Sequence, residues 1–255
     1  MLSVKDISFA YGEEVIFENV SFDCRPGQIT SIIGVNGTGK TTLLKCIAGL
    51  QKLRSGEVFI NGRARKEMSR EDFAASVGYL DQNNYCEAQL NVYEVILLGR
   101  IRNLSFKVSD EDRMRVESVS DMLGITRFLN RNITDLSGGQ RQMVFIAQTL
   151  VKEPKLLILD EPTSALDINH QFRLMNLISQ LTKERDLTTL TTLHHLDVAS
   201  KYSDSVIVLN DRGVYMQGSS DSVVTREMLR EVYRVESEMF TDVYGCVHAV
   251  PTKEL

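Results

Sequence analysis

The sequence predicts an α/β fold built on a parallel sheet, with a helical segment inserted in its middle. Short apolar runs alternate with helical stretches at both ends of the 255-residue chain, the pattern that layers helices on a sheet. The run Leu156 to Leu159 is continuously apolar, as a strand buried on both faces requires. From about 91 to 150 the periodicity is helical, so the sheet is interrupted there.

Residues 2–9 and 15–33 read as short strands. Leu2, Val4, Ile7 and Phe9 flank Lys5 and Asp6, and the β-branched run Ile29 to Ile33 stops at Gly34. GVNGTGKTT then opens a helix from Thr41 to Leu50, with Leu43, Leu44 and Ile47 on one face. Residues 57–61, closed by Gly62, and residues 77–82 read as strands. In the middle, Val92, Val95, Ile96 and Gly99 share a helix face, a charged helix starts at Asp110, and another runs from Gly138 to Val151. Strand 156–160, helix 168–184, strands 188–193, 205–209 and 214–217, and a last helix at about 225–235 complete the chain. There is no repeat and no linker. The chain therefore reads as one unit over 1–255, in which 1–85 and 150–255 form the core and 86–149 the inserted helical part.

A hydrophobic share of 43% and a charged share of 25% predict a folded core rather than disorder. A net charge of −5 argues against nucleic acid as the main partner, because that affinity comes from clustered Lys and Arg. Cys24, Cys46, Cys86 and Cys246 are scattered without metal-site spacing and read as reduced thiols. The N-terminus has no apolar signal region, and no apolar stretch approaches the ~20 residues that cross a bilayer. The chain reads as soluble, with any membrane role reached through a partner.

Three segments carry chemistry. Gly34 to Thr41 matches G-x-x-x-x-G-K-[ST] between a strand and a helix. Glycines let the backbone N–H groups converge on an anion, the helix start adds its dipole, Lys40 adds a full charge for phosphate, and Thr41 offers a hydroxyl to Mg²⁺. Asp160 and Glu161 end an apolar strand at the edge where α/β sheets bind ligands; Asp160 is placed to hold Mg²⁺ and Glu161 to polarise an attacking water. Leu136-Ser137-Gly138-Gly139-Gln140 opens a helix, and it reads either as a second phosphate-binding nest or as an ordinary cap by Ser137.

With these segments in this order, the chain resembles the nucleotide-binding subunits of ABC transporters over essentially its whole length. The resemblance implies a P-loop NTPase (RecA-like) core, an N-terminal antiparallel β part, and a helical subdomain carrying the LSGGQ signature. It implies that Gly34, Asn36, Gly37, Thr38, Gly39, Lys40, Thr41 and Thr42 form the Walker A loop that binds ATP, and that Tyr11 stacks on adenine. Thr41, Gln82 and Asp160 would hold Mg²⁺, and Glu161, Gln82 and His194 would form the catalytic set. Ser164-Ala165-Leu166-Asp167 matches the D-loop, with Asp167 at the nucleotide interface. His195 stands where the family commonly has an acidic residue, so the switch histidine is His194 or His195. Val35 and Asp81 stand where proline is common, and neither change touches a phosphate-binding atom.

The chain has one phosphate loop and one signature, and in that family ATP is sandwiched between the Walker A loop of one subunit and the signature of the other, so the resemblance implies a head-to-tail homodimer in the ATP-bound state. Ser137, Gly138, Gly139 and Gln140 of one copy would then face the γ-phosphate held by the other. LDINHQ (166–171), LLGR (97–100) and the tail GVYMQGSSDSVVTREMLREVY look like importer subunits for iron chelates, haem or cobalamin. That branch implies integral membrane permease subunits docked near Gln82, Asn83 and Tyr85. It also implies an extracytoplasmic substrate-binding protein, and a peripheral position on the cytoplasmic face of the membrane. The tail leaves no room for an added regulatory domain. The alternatives are a soluble ABC ATPase of iron–sulfur assembly or regulation, and a detached exporter ATPase.

Overall fold

Residues 15–33 are divided between two sheets. The computed structural model describes residues 1–82, 88–101, 108–164, 166–211, 213–243 and 245–255; Asn83, Tyr85, Cys86 and Ala165 lie outside them. A turn at Pro26–Gly27 separates the two strands, with Gly27 at φ 68 and its N–H donating to the Leu187 carbonyl at 2.8 Å.

The first sheet is antiparallel, in the order β2 (Glu14–Cys24), β1 (Leu2–Tyr11), β4 (Ser55–Ile60) and β5 (Arg63–Ala64). The second runs β10 (Gly213–Gly218), β9 (Ser205–Asn210), β3 (Gln28–Ile33), β8 (Thr188–Thr192), β7 (Leu156–Leu159) and β6 (Val77–Leu80). It is parallel except for the β9–β10 edge.

Burial on both faces of this second sheet follows from strict alternation. Leu157 and Leu159 enter one apolar cluster and Leu156 and Ile158 the other; Val206 and Val208 likewise oppose Ile207 and Leu209. One cluster lies toward the first sheet and α1 (Lys40–Ile47), which buries Leu43, Leu44 and Ile47. The other takes in α6 (Ile168–Glu184), α7 (Leu196–Tyr202) and the inserted helices α3 (Val92–Leu98), α4 (Asp110–Met122) and α5 (Gly138–Leu150).

Each inserted helix starts at a capping box: Asn91 with Glu94, Ser109 with Asp112, and Ser137 with Gln140. The Arg of LLGR is buried. Arg100 Nε pairs with the Asp112 carboxylate, tying the end of α3 to the start of α4. Gly99 lets α3 approach α5, because a Cβ there would sit 2.1 Å from the Gln148 carbonyl oxygen.

Two parts differ from the sequence reading. Helix α2 (Arg70–Ser76) precedes β6, capped by Ser69, whose Oγ accepts from the Asp72 N–H at 3.0 Å. Helical backbone near the C-terminus stops at Tyr233, and Arg234 at φ 57 turns the chain into a hairpin of β11 (Val235–Thr241) and β12 (Val247–Glu254). Half-buried Val235, Met239, Val247 and Ala249 give that hairpin its face on the core.

Candidate functional site

Parallel pairing brings the functional segments to one edge. Ile32 of β3 lies opposite Thr192, Leu159 of β7 opposite Thr191, and Leu80 of β6 opposite Leu159. The P-loop, Asp160–Glu161, His194 and Gln82 therefore leave neighbouring strand ends together. They surround an open cleft of about 560 Å³, to which Asn36, Gly37, Gly39, Lys40, Thr41, Thr42, Gln82, Glu161 and His194 all contribute.

Gly39, at φ 84, is the N-cap of α1, and a Cβ there would sit 2.5 Å from the Cγ2 of Ile16. Lys40 folds back on its own loop, donating to the carbonyls of Gly34 at 2.9 Å and Val35 at 2.8 Å. Burial holds its ammonium below the usual lysine range, against the pull of Glu161 and Asp160. The Thr38 hydroxyl also donates to Val35 O, at 3.0 Å, so its side chain braces the loop and does not line the cleft. Gly34 serves through the carbonyl that Lys40 caps. Tyr11 is half exposed, its ring nearly perpendicular to that of Phe9 with centroids 4.8 Å apart; the cleft lining includes Ile16 and not Tyr11.

Asp160 is fully buried. Its Oδ1 accepts from the Thr192 hydroxyl at 2.7 Å, while its Oδ2 has no hydrogen-bond partner. Burial pushes this carboxyl above the ordinary range, with Thr192 and the neighbouring Thr41 pulling it back. Asp160 itself lies behind the cleft lining, but its open carboxylate oxygen stands next to Thr41, whose hydroxyl lines the cleft with the amide of Gln82, and these are oxygen donors of the kind a hard divalent cation that keeps several waters takes. The residues fit Mg²⁺.

Glu161 takes φ 48, a left-handed conformation that a non-glycine residue adopts only when its surroundings hold it there. Its N–H donates to Thr192 Oγ1 at 2.8 Å. Its Oε2 accepts from Gln82 Nε2 at 2.7 Å, and its Oε1 meets His194 Nε2. The three candidate catalytic side chains thus converge on one carboxylate. His195 instead occupies the N-cap of α7 and is not part of the cleft lining, so of the two histidines it is His194 that faces the cleft.

Ser137, Gly138, Gly139 and Gln140 line a different cleft, of about 720 Å³, together with Leu166 and Asp167. Ser137 caps α5. Its Oγ accepts from the Gln140 N–H at 3.3 Å, and the Ser137 N–H donates to Gln140 Oε1 at 3.1 Å, which leaves the serine O–H able to donate elsewhere. Asp167 caps α6, accepting from the N–H and the ring nitrogen of His170, each at 2.9 Å. The backbone N–H of His170, then its ring, holds the Asp167 carboxyl below its usual value.

The sequence profile of the ABC transporter family matches residues 17–164, more than half of the chain. The chain belongs to the ABC transporter family. It is similar to the iron(3+)-hydroxamate import ATP-binding protein of Bacillus subtilis, at 35% identity over 94% of this chain and 90% of that one. It is also similar to the ferric enterobactin transport ATP-binding protein of Escherichia coli, at 32% identity over 97% of this chain and 92% of that one. Among solved structures it is similar to a metal-chelate type ABC transporter in an inward-facing conformation, with a TM-score of 0.85 and 28% identity over 99% and 97% of the two chains. A dimeric bacterial ABC transporter cassette matches with a TM-score of 0.78 and 29% identity over 86% and 99%.

This ABC ATPase contains site residues that its motifs do not announce. Thr192 joins Asp160 to Glu161 through one hydroxyl, and its only sequence signal is its place at the end of a strand beside β7. Gln171 donates to the carbonyls of Thr163 and Leu166 at 3.2 and 2.9 Å and so clasps the D-loop from inside LDINHQ. Among the described residues, no helix is long and apolar enough to cross a membrane.

Proposed function

We propose that the chain is the ATP-hydrolysing motor of an importer for an iron-siderophore, haem or cobalamin, peripheral to the cytoplasmic face of the membrane. Two copies close head to tail on ATP and drive separate integral membrane permease subunits, which an extracytoplasmic substrate-binding protein supplies. The observation that carries this reading is the separation of the two phosphate-binding elements. The cleft holding Lys40 and Glu161 contains no residue of the signature, which lines another cleft beside Asp167. A signature serine can then serve a γ-phosphate only in a second copy. Relatives named for iron(3+)-hydroxamate and ferric enterobactin import support the substrate class.

Each residue has a role that follows from its chemistry. The loop N–H groups and Lys40 receive the β- and γ-phosphates; Lys40 exchanges its two backbone carbonyl partners for phosphate oxygens. Thr41, Asp160 and Gln82 would hold Mg²⁺, which when bound neutralises developing phosphate charge. Tyr11 offers an aromatic face to the adenine. Glu161, whose two oxygens now face Gln82 and His194, orients and deprotonates the attacking water, and His194 turns to the γ-phosphate. Ser137 and Gly139 of the other copy stabilise the transferring phosphoryl group, and Asp167 sits at the same interface.

Affinity purification of the chain from membranes tests the transport role. Recovery of a polytopic permease supports it, whereas recovery of soluble proteins alone overturns it.

A further inference from the structure

The C-terminal hairpin reaches the helix that follows the site histidine. Strand β12 lies against α7, and His248 stands between two carboxylates from different elements. Its Nδ1 is 3.0 Å from Asp197 Oδ1, in the first turn of α7, and its Nε2 is 3.1 Å from Asp242 Oδ2, in the hairpin turn. Phe240 of β11 stacks on the ring at 5.0 Å and 14°. Asp242 is itself oriented by the Cys246 N–H, which donates to Oδ1 at 2.9 Å. Among the described residues, Asp197 and Asp242 are the charged groups facing the imidazole. A neutral imidazole carries one N–H, so only the imidazolium can donate to both carboxylates at once. Those two hydrogen bonds raise the affinity of His248 for its proton.

What this clamp holds is the start of α7. The later residues Ala199, Ser200 and Tyr202 are buried, but Leu196, Asp197 and Val198 are half-buried or exposed. His195, the N-cap, makes no side-chain capping bond. Leu196 and Val198 rest against the core, and the polar side-chain tie on this first turn is the one from the hairpin to Asp197; His194, which meets Glu161, is three residues before Asp197.

We infer that His248 is a positioning residue for hydrolysis: by bridging Asp242 of the hairpin to Asp197 of α7 it holds the first turn of that helix, and with it His194, against Glu161. This rests on the roles proposed for Glu161 and His194.

The test is ATP hydrolysis by the full chain from mildly acidic to alkaline pH, paired with amide hydrogen exchange at residues 194–198. In His248→Gln, exchange at 194–198 accelerates and kcat falls roughly three- to tenfold, while KM for ATP stays unchanged. That deficit shrinks at alkaline pH, where the unaltered imidazole also loses its second proton. His248→Arg keeps the charge and restores kcat. Asp197→Asn gives the same loss, and the double variant is no worse than either single one. A deficit equal at every pH, no change in kcat, or unchanged exchange in a folded His248→Gln protein overturns the inference. Glu161→Gln serves as control: if it still turns over, the assigned catalytic roles fail, and the exchange at 194–198 still decides whether the clamp exists.

Discussion

Gln82 Nε2 donates to Glu161 Oε2 across 2.7 Å, joining the end of β6 to the end of β7. Both carboxylate oxygens of Glu161 are thus engaged, Oε2 by Gln82 and Oε1 by His194. A carboxylate pinned in this way carries direct experimental consequences.

Glu161→Gln keeps the size and the hydrogen-bonding reach of the side chain but removes the base. Turnover is expected to fall at least about a hundredfold, with ATP affinity retained. The arrested protein is expected to dimerise in ATP and Mg²⁺, read by light scattering with its membrane partner present. Unchanged turnover takes Glu161 out of the base role.

Asp160 exchanges stability for function. Its carboxyl lies above the ordinary value because it is buried, so the ionised form costs stability. The cost is absent below the ordinary carboxylate range, grows as pH rises through the raised value, and is constant above it. Asp160→Asn removes that charge. The nucleotide-free variant is expected to melt about 2–4 °C higher at neutral pH, for each ~1 kcal/mol regained. The difference should vanish toward acid pH. The same variant should lose the thermal shift that Mg²⁺ and ATP give the parent, about 2.7 kcal/mol at a hundredfold excess over Kd. A lower melting temperature at neutral pH contradicts this account.

Ser137 separates its two roles by substitution. Aspartate is as good an N-cap as serine, so Ser137→Asp should keep the melting temperature, whereas Ser137→Ala should lose about 1 kcal/mol. In the dimer, however, the new carboxylate would face the partner's γ-phosphate. Ser137→Asp is expected to bind ATP and to fail to dimerise in the Glu161→Gln background. A dimer of normal affinity argues that the serine is only a cap.

Arg100 and Asp112 form a buried pair at the joint of α3 and α4, with side chains 10% and 4% exposed. Hydrogen bonds from Ser109, then from Arg100, hold the Asp112 carboxyl below its usual range. Its stabilising effect is present above the ordinary carboxylate range and is lost as pH falls through the lowered value. Arg100→Ala leaves a buried charge unpaired and should cost about 3–5 kcal/mol in urea unfolding. A loss under about 1 kcal/mol would mean that water reaches the pair.

Much of this molecule is legible in one dimension because its signals are local. LLIL reads as a strand covered on both faces, and the alternation of Leu156 and Ile158 with Leu157 and Leu159 between two cores bears that out. The loop of Lys40, the acidic end at Asp160 and Glu161, and the opening of α5 at Ser137 are short motifs whose chemistry needs neighbouring residues. Folding alone settles what depends on residues far apart in the chain. Thr192 gains its place between Asp160 and Glu161 through strand order, and of the two histidines His194 faces the cleft while His195 starts a helix. The hairpin that brings His248 to Asp197 lies beyond the last helix read from the sequence, in a stretch where the residue pattern assigns no element. Periodicity and caps are set by neighbours within a turn or two of the chain. Contacts between strand ends are set by how the sheet is ordered, which leaves no repeating trace in the residues that make them.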